Sequence, residues 1–495
     1  MSIKPQFESY RYIGEIGFVK SQSIVECRLP GSEISSILAV YAKAIPAECT
    51  CSDGEIQYSG KVVLCIVYED GSRKICRAER GAEFFHKAED GRITPACFAK
   101  PSYTAENVAW RREGSGLYIS VIVGGEFAVF GGKQIEYLAG GEGLICQKEA
   151  LSICKTVCVS GEIEGEDEFD SDYVGDVLLH SATPIVHHVA ANAGQVEVEG
   201  EISLNICVLR ADESVCTYER LIPFRMQVPA DEAFGTVTAD AKICVKNAHL
   251  TASPDEERGK SKMLFSYTLC ADCCLYIKDE LSSVSDAFCE KQEIGLKKKN
   301  DGGRYLTKRF RCTERVSGNA SLSPVLDGEF FLQACILPRA ELVCRKTENG
   351  MEAEGIVTAK VLLKSADGAY RSAELSLPVL FPLDTDGELA EAECLVCGLN
   401  LRRKKNGETE AEATLKMSVN VYEQKKWEYV SGVEEGEEVG ESDCAFSVFL
   451  PKEGENIWQV AKRLRCHPDE LQKSNPDLQF PVKTGQRLYV YRQIK

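Results

Sequence analysis

One glycine, held at the same offset in three copies of an alternating run, constrains this chain more than any other feature. The first copy puts Ile56, Tyr58, Gly60, Val62, Leu64, Ile66 and Tyr68 at every second position. The second puts Val196, Val198, Gly200, Ile202, Leu204, Ile206 and Val208 there, and the third Met351, Ala353, Gly355, Val357, Ala359, Val361 and Leu363. A period of two over that length is a strand with one buried face. Glycine in mid-strand weakens the strand unless it allows a bulge or a close backbone contact. Its recurrence predicts one geometry used three times.

Each run ends in a polar break: Glu69-Asp70-Gly71, Arg210 to Glu213, and Ser365 to Gly368. These are hairpin turns by composition. An apolar landing follows each, at Phe84, at Phe224 and at Val379 to Phe381. A second hairpin is expected in every copy. In the third, Leu395 to Leu401 leads through Arg402-Arg403-Lys404-Lys405-Asn406-Gly407 into a strand alternating Ala411, Ala413, Leu415, Met417, Val419 and Val421. Asn-Gly between alternating strands is a strong hairpin signal. A chain of 495 residues exceeds what one core serves. The expected fold class is therefore mainly β: three β-sandwich-like domains in tandem, at 1–146, 150–290 and 303–431, plus a small C-terminal βααβ domain. Between 432 and 444, Glu434, Glu435, Glu437, Glu438 and Glu441 stand among glycines. That segment is expected to be an acidic flexible linker.

Residues 445–495 read differently. Phe446 to Phe449 is strand-like, and Asn456 can cap a helix whose buried face is Ile457, Val460, Ala461 and Leu464. His467-Pro468 opens a second helix with proline at its first position. Gly485 begins a turn into Leu488-Tyr489-Val490.

The charge of −18 argues against binding nucleic acid or an anionic membrane surface. The first residues lack an apolar leader, and no apolar run reaches membrane-spanning length. The expected location is cytoplasmic, without membrane insertion. Twenty-three cysteines then read as free thiols in a reducing compartment. Many sit in apolar runs, such as Leu64-Cys65-Ile66, as small hydrophobes.

No catalytic constellation emerges. Cys270-Ala271-Asp272-Cys273-Cys274 and Cys394-Leu395-Val396-Cys397 are CxxC matches. Zinc needs four ligands, no histidine stands at ligand spacing, and residues three apart in a strand face opposite sides. His187-His188 lies in an apolar, strand-like run. Glu162 to Asp172 reads as a charged loop, and Lys297-Lys298-Lys299 as a solvated linker. GxSxG, Walker, HExxH and helix-opening GxGxxG patterns are absent from the sequence. The expectation is a non-enzyme with no metal site and no cofactor.

The pattern of 445–495 resembles a LysM domain, and the glycine-bearing β units resemble SPOCS domains. The combination is similar to spore coat morphogenetic proteins of endospore-forming bacteria. That resemblance implies a non-enzymatic scaffold on the mother-cell side of the forespore surface. It also implies that the LysM-like module docks a protein partner, a SpoIVA-like ATPase, with other coat proteins as further contacts. The alternative it implies is a peptidoglycan- or chitin-oligomer-binding protein, the ordinary LysM role. Where that family usually has Asp-Thr after the first glycine, this chain has Glu455-Asn456. The partner-binding edge expected from a βααβ arrangement comprises Lys452, Gly454, Glu455, Asn456, Trp458, Lys462, Asn475, Pro476 and Asp477, with Arg463 adding a donor.

Overall fold

The alternating runs fold into long antiparallel strands. The computed structural model describes residues 3–30, 34–114, 116–172, 175–255, 260–324, 330–404, 408–440, 446–483 and 485–491, and these are mainly β. The first six strands are β1 (Lys4–Pro30), β2 (Ile34–Ser52), β3 (Glu55–Asp70), β4 (Ile75–Glu89), β5 (Phe98–Glu113) and β6 (Gly116–Glu142). They form two sheets, β1-β6-β5 and β2-β3-β4. The next six are β7 (Ile145–Ser171), β8 (Gly175–Asn192), β9 (Gln195–Arg210), β10 (Val215–Pro229), β11 (Thr238–Asp255) and β12 (Lys260–Phe288). Their sheets are β11-β12-β7 and β10-β9-β8. The third six are β13 (Gln292–Ser323), β14 (Phe330–Thr347), β15 (Gly350–Ser365), β16 (Tyr370–Leu383), β17 (Leu389–Arg403) and β18 (Thr409–Glu438). Here the two halves join into one sheet, β14-β15-β16-β13-β18-β17, because the end of β13 pairs with β16 at Ser321 to Ser323.

Alternation decides the cores. Val25, Leu64 and Ile119 are buried between the first two sheets. Val196, Ile202 and Leu269 do the same in the second set, and Val357, Leu375 and Val419 in the third. Two further clusters weld the sets together. One gathers Tyr12, Tyr137, Cys154, Tyr276, Tyr422 and Trp427, from strands of all three sets. The other gathers Leu38, Val67, Leu179, Cys207, Ile336 and Tyr370.

The repeated glycines are close-approach positions. In register, Gly60 faces Phe84, Gly200 faces Phe224 and Gly355 faces Val379, so each apolar landing lies across its own glycine. A Cβ on Gly200 would stand 2.2 Å from the Ile185 carbonyl oxygen and 2.5 Å from the Phe224 ring. At Gly60 the corresponding distances are 2.6 Å from Ile45 and 2.6 Å from Phe84, and at Gly355 the Glu341 oxygen would be 1.9 Å away.

Several boundaries differ from the sequence expectation. β7 begins at Ile145, before the expected start at 150, and β13 begins at Gln292, before 303. The expected linker is strand as far as Glu438, with Glu434 opposite Gly295 and Gly432 opposite Lys297. The Lys297 ammonium lies 2.5 Å from Glu434. That pair offsets the charge of one glutamate, and Val430 and Val433 join an apolar cluster with Leu138 and Ile294. Residues 441–444 of that expected linker lie outside the described residues. The three lysines at 297–299 are accordingly strand, and so is Glu162 to Ser171, within β7. There every second residue, Glu162, Glu164, Glu166, Glu168 and Asp170, is exposed and the intervening ones are covered. Acidic residues on a period of two describe a half-buried strand. Asn406-Gly407 lies outside the described residues.

The last elements are β19 (Phe446–Phe449), α1 (Ile457–Leu464), α2 (Pro468–Ser474) and β20 (Leu488–Tyr491), with β19 antiparallel to β20. Asn456 caps α1: its side chain accepts from the Gln459 amide at 2.9 Å, and Gln459 returns the bond to the Asn456 amide at 3.0 Å. Pro468 stands at the start of α2 after His467. Among the described residues no helix is long and apolar enough to cross a membrane.

Candidate functional site

The C-terminal strand–helix–helix–strand unit carries every expected site residue, and its surroundings redistribute them. Its core of Val460, Ala461, Leu471, Val482, Leu488 and Val490 continues into Phe288 at the end of β12. Trp458 packs on Phe288 with ring centroids 5.2 Å apart, and its indole N–H donates to Asp286 Oδ2 at 2.8 Å. Lys462 Nζ donates to both oxygens of the same carboxylate, at 2.6 and 2.8 Å. Arg465 donates to the Gln292 carbonyl at 3.2 Å and to Glu293 at 2.9 Å. Burial opposes ionisation of Asp286, but the Lys462 and Trp458 bonds outweigh it and hold its carboxyl below the ordinary aspartate range. Trp458 and Lys462 are therefore engaged with the chain's own β12–β13 junction. This corrects their placement on a free edge: the first-helix face that the sequence offers to a partner is used to seat the unit on the body.

The other expected residues divide. Asn475 is buried, donating to the Leu471 and Tyr489 carbonyls at 2.9 and 2.8 Å and accepting from the Tyr489 amide at 2.8 Å. It staples α2 to β20, a structural duty. Glu455 pairs with Arg463 at 2.6 Å, and Asn456 is the helix cap. Lys452, Gly454, Pro476 and Asp477 are exposed. Gly454 has φ +84° and donates to the Val482 carbonyl at 2.8 Å, so the loop before α1 is braced on residue 482.

Sequence reasoning missed the outer face of β19–β20. Phe446 faces Tyr491 and Val448 faces Tyr489 across the pair. Phe446, Val448, Leu450, Tyr489 and Tyr491 are 44–64% exposed. The Phe446 ring lies 5.9 Å from Tyr489 and 5.2 Å from Tyr491. Scattered exposed apolar residues are normal, and here they are gathered into one aromatic face on a small sheet. The signal was present as alternation in Phe446, Val448 and Leu450, yet Phe449 and Leu488 make both faces apolar in sequence.

No protein-family model, no curated protein and no solved structure matches this chain.

A second site lies where the three sets of sheets meet. A cavity of about 600 Å³ is walled by β1, β2, β5 and β6, by β8, β9, β11 and β12, and by β13, β14, β17 and β18. Lys100, Asp240 and Glu391 take the same place on β5, β11 and β17, each facing inward shortly before its strand's register shift. Asp240 accepts from Tyr276 at 3.1 Å and from the Tyr422 hydroxyl. Arg304 pairs with Glu391 at 2.8 Å and stacks over Tyr422 with its guanidinium carbon 3.4 Å from the ring centre. Burial pushes Glu393 up to about 6, against the opposing pull of Lys242 and Arg309. Burial pushes Lys43 down to about 8. The wall thus holds the Arg304–Glu391 ion pair beside groups, Glu393 and Lys43, whose charged forms burial disfavours.

The remaining motifs stay apart. His187 approaches Glu201 at 3.4 Å, Glu201 pairs with Lys416 at 3.1 Å, and the two histidines stand at a bulge in β8. Among the described residues no group of three His, Cys, Asp or Glu side chains is placed to hold a metal ion.

Proposed function

We propose that this chain is a non-enzymatic scaffold and adaptor in endospore coat assembly, working on the cytoplasmic, mother-cell side of the forespore. In this reading each six-strand set is a SPOCS-type domain, and the C-terminal unit is a LysM-type module that docks a SpoIVA-like ATPase. The observation that carries the docking role is the aromatic face of β19–β20, left open while the α1 face is occupied by Asp286 and Phe288. Aromatic anchors of this kind supply most of the energy of protein interfaces. The welded clusters linking all three sheet sets suit a rigid platform. The test is capture of the purified ATPase by the full chain and by Val448→Glu and Tyr489→Glu variants. The expected result is at least about a tenfold loss of affinity for either glutamate. Charge reversal at Lys452 or Asp477 should then have little effect. Unchanged capture by both glutamate variants, with the fold intact, would overturn the assignment.

A second reading is favoured by one feature: Tyr489 and Tyr491 present exposed rings on which sugars can stack. It predicts saturable co-sedimentation with purified peptidoglycan or titration with chitin oligomers, abolished by Tyr491→Ala. Binding of that kind without capture of the ATPase would replace the first reading.

A further inference from the structure

The CxxC spacing of Cys270 and Cys273 does not assemble a thiol pair, because residues three apart on β12 point to opposite faces. The strand register assembles a different one. Cys274 of β12 stands directly opposite Cys158 of β7, and their Sγ atoms are 3.5 Å apart. Directly opposed residues of antiparallel strands have Cα separations within the range a disulfide spans. Closing the bond needs side-chain rotation and leaves the sheet in place. We propose that Cys158 and Cys274 form a peroxide-reactive dithiol that closes to a cross-strand disulfide at the junction of the three sheet sets.

The surroundings give the two thiols different roles. Cys274 is 7% exposed and lines the central cavity, whereas Cys158 is half-buried. Lys100 lies on the same cavity wall, and its ammonium donates to the Cys273 carbonyl at 2.7 Å. The bond from Cys274 and the nearby Lys100 hold the Cys158 thiol below the ordinary cysteine value, although burial and the carboxylates of Asp240 and Asp272 oppose them. The bond to Cys158 and burial push Cys274 up, against the pull of Lys100. By contrast Cys49, Cys65, Cys207, Cys273 and Cys394 are pushed up to about 12, chiefly by burial. Cys244 and Cys270 are also opposed in register, but burial raises both thiols.

The chemistry balances with hydrogen peroxide as oxidant. The Cys158 thiolate attacks one peroxide oxygen, the O–O bond breaks, and the hydroxide leaving group takes a proton to become water. Cys158 is then a sulfenic acid. The Cys274 sulfur attacks the sulfenic sulfur, the S–O bond breaks, and the departing hydroxide takes the Cys274 proton as a second water. Two thiols are oxidised to one disulfide and one peroxide is reduced to two waters.

The test uses the full chain. Peroxide treatment, quenching, alkylation of remaining thiols and peptide mass spectrometry should find Cys158 joined to Cys274 before any other pair. Cys274→Ser should leave a dimedone-reactive sulfenic acid at Cys158, and Cys158→Ser should lose the cross-link. Lys100→Met should shift the pH midpoint of Cys158 alkylation upward. On the unmutated protein, Cys158 should alkylate faster than every other cysteine, which keeps the test valid if a variant fails to fold. A different first cross-link, or Cys158 alkylation no faster than that of the other thiols, would overturn the proposal.

Discussion

Adding one methyl group at Gly200 tests the physical account of the repeat. The φ angle there is not positive, so alanine meets no backbone strain. In open space the substitution would stabilise by about 0.4–1 kcal/mol, by restricting the unfolded chain. Here the new Cβ would sit 2.2 Å from the Ile185 carbonyl oxygen and 2.5 Å from the Phe224 ring. Both are far inside van der Waals contact. The oxygen belongs to β8, the paired neighbour of β9, so relief requires moving a strand as well as a ring. Overpacking of this kind costs about 1–3 kcal/mol, leaving a net loss on the order of 1–2 kcal/mol. Phe224→Leu removes only the ring contact. The double variant should therefore lose less than the sum of the two single changes, by about 0.5–1 kcal/mol. A chain with several cores need not unfold in one step, so the readout is amide exchange across β8, β9 and β10, which reports local opening energy. Gly355→Ala, with its oxygen at 1.9 Å, should lose more than Gly60→Ala, with 2.6 Å. A neutral or stabilising Gly200→Ala, or a strictly additive cycle, would refute close approach as the reason for these glycines.

Two other outcomes follow from the sites. Asp286→Ala should free the C-terminal unit, because the Trp458 indole loses its acceptor and Lys462 its partner. The loss should be about 1–3 kcal/mol for the unpaired indole, with under about 1 kcal/mol more from the half-exposed ion pair. Faster amide exchange in α1 and in 286–293 checks it, Asp286→Asn should lose less, and unchanged exchange would count against seating through this carboxylate. Glu393, raised to about 6 by burial, is a carboxyl whose proton the folded state holds more tightly than the unfolded chain. Its stabilising contribution is full below its unfolded value of about 4.5 and is lost as pH rises through about 6. The amount is on the order of 1–2 kcal/mol. Glu393→Gln should flatten the stability–pH curve in that window, and an unaltered slope would mean that the carboxyl is already ionised there.

The backbone of the fold was largely legible in the sequence, and the site was legible only in part. Period-two runs at 56–68, 196–208 and 351–363 became strands, and Asn456 and Pro468 marked two helix starts. The acidic segments were misread for one reason. Charge density suggests solvated coil, yet Glu162 to Asp170 alternate with covered residues on a paired strand, and Glu434 also lies on one. Period outweighs charge when the opposite strand supplies lysines such as Lys262, which pairs with Glu168. At the site, Asn456 kept its expected cap, because capping is a property of a few adjacent residues, whereas Gly454 stands in open space with a positive φ and makes no close backbone approach there. Trp458 and Lys462 did not stay free, because their partner Asp286 lies far away in the chain.

The sequence by itself determined the strand period, the three-fold reuse of a glycine opposite an apolar landing, the turns that close the hairpins and the caps of the two short helices. Each of these is a local preference of backbone dihedral, side-chain alternation or nearby hydrogen bonding. Only the tertiary structure decided which distant groups meet. It brought Cys158 against Cys274 instead of Cys270 against Cys273, and set Trp458 on Asp286. It also gathered Lys100, Asp240, Arg304 and Glu391 around one cavity. Those meetings depend on strand register and on how three sheet sets pack around a shared centre. A one-residue slip in any of the long strands would exchange one face for the other.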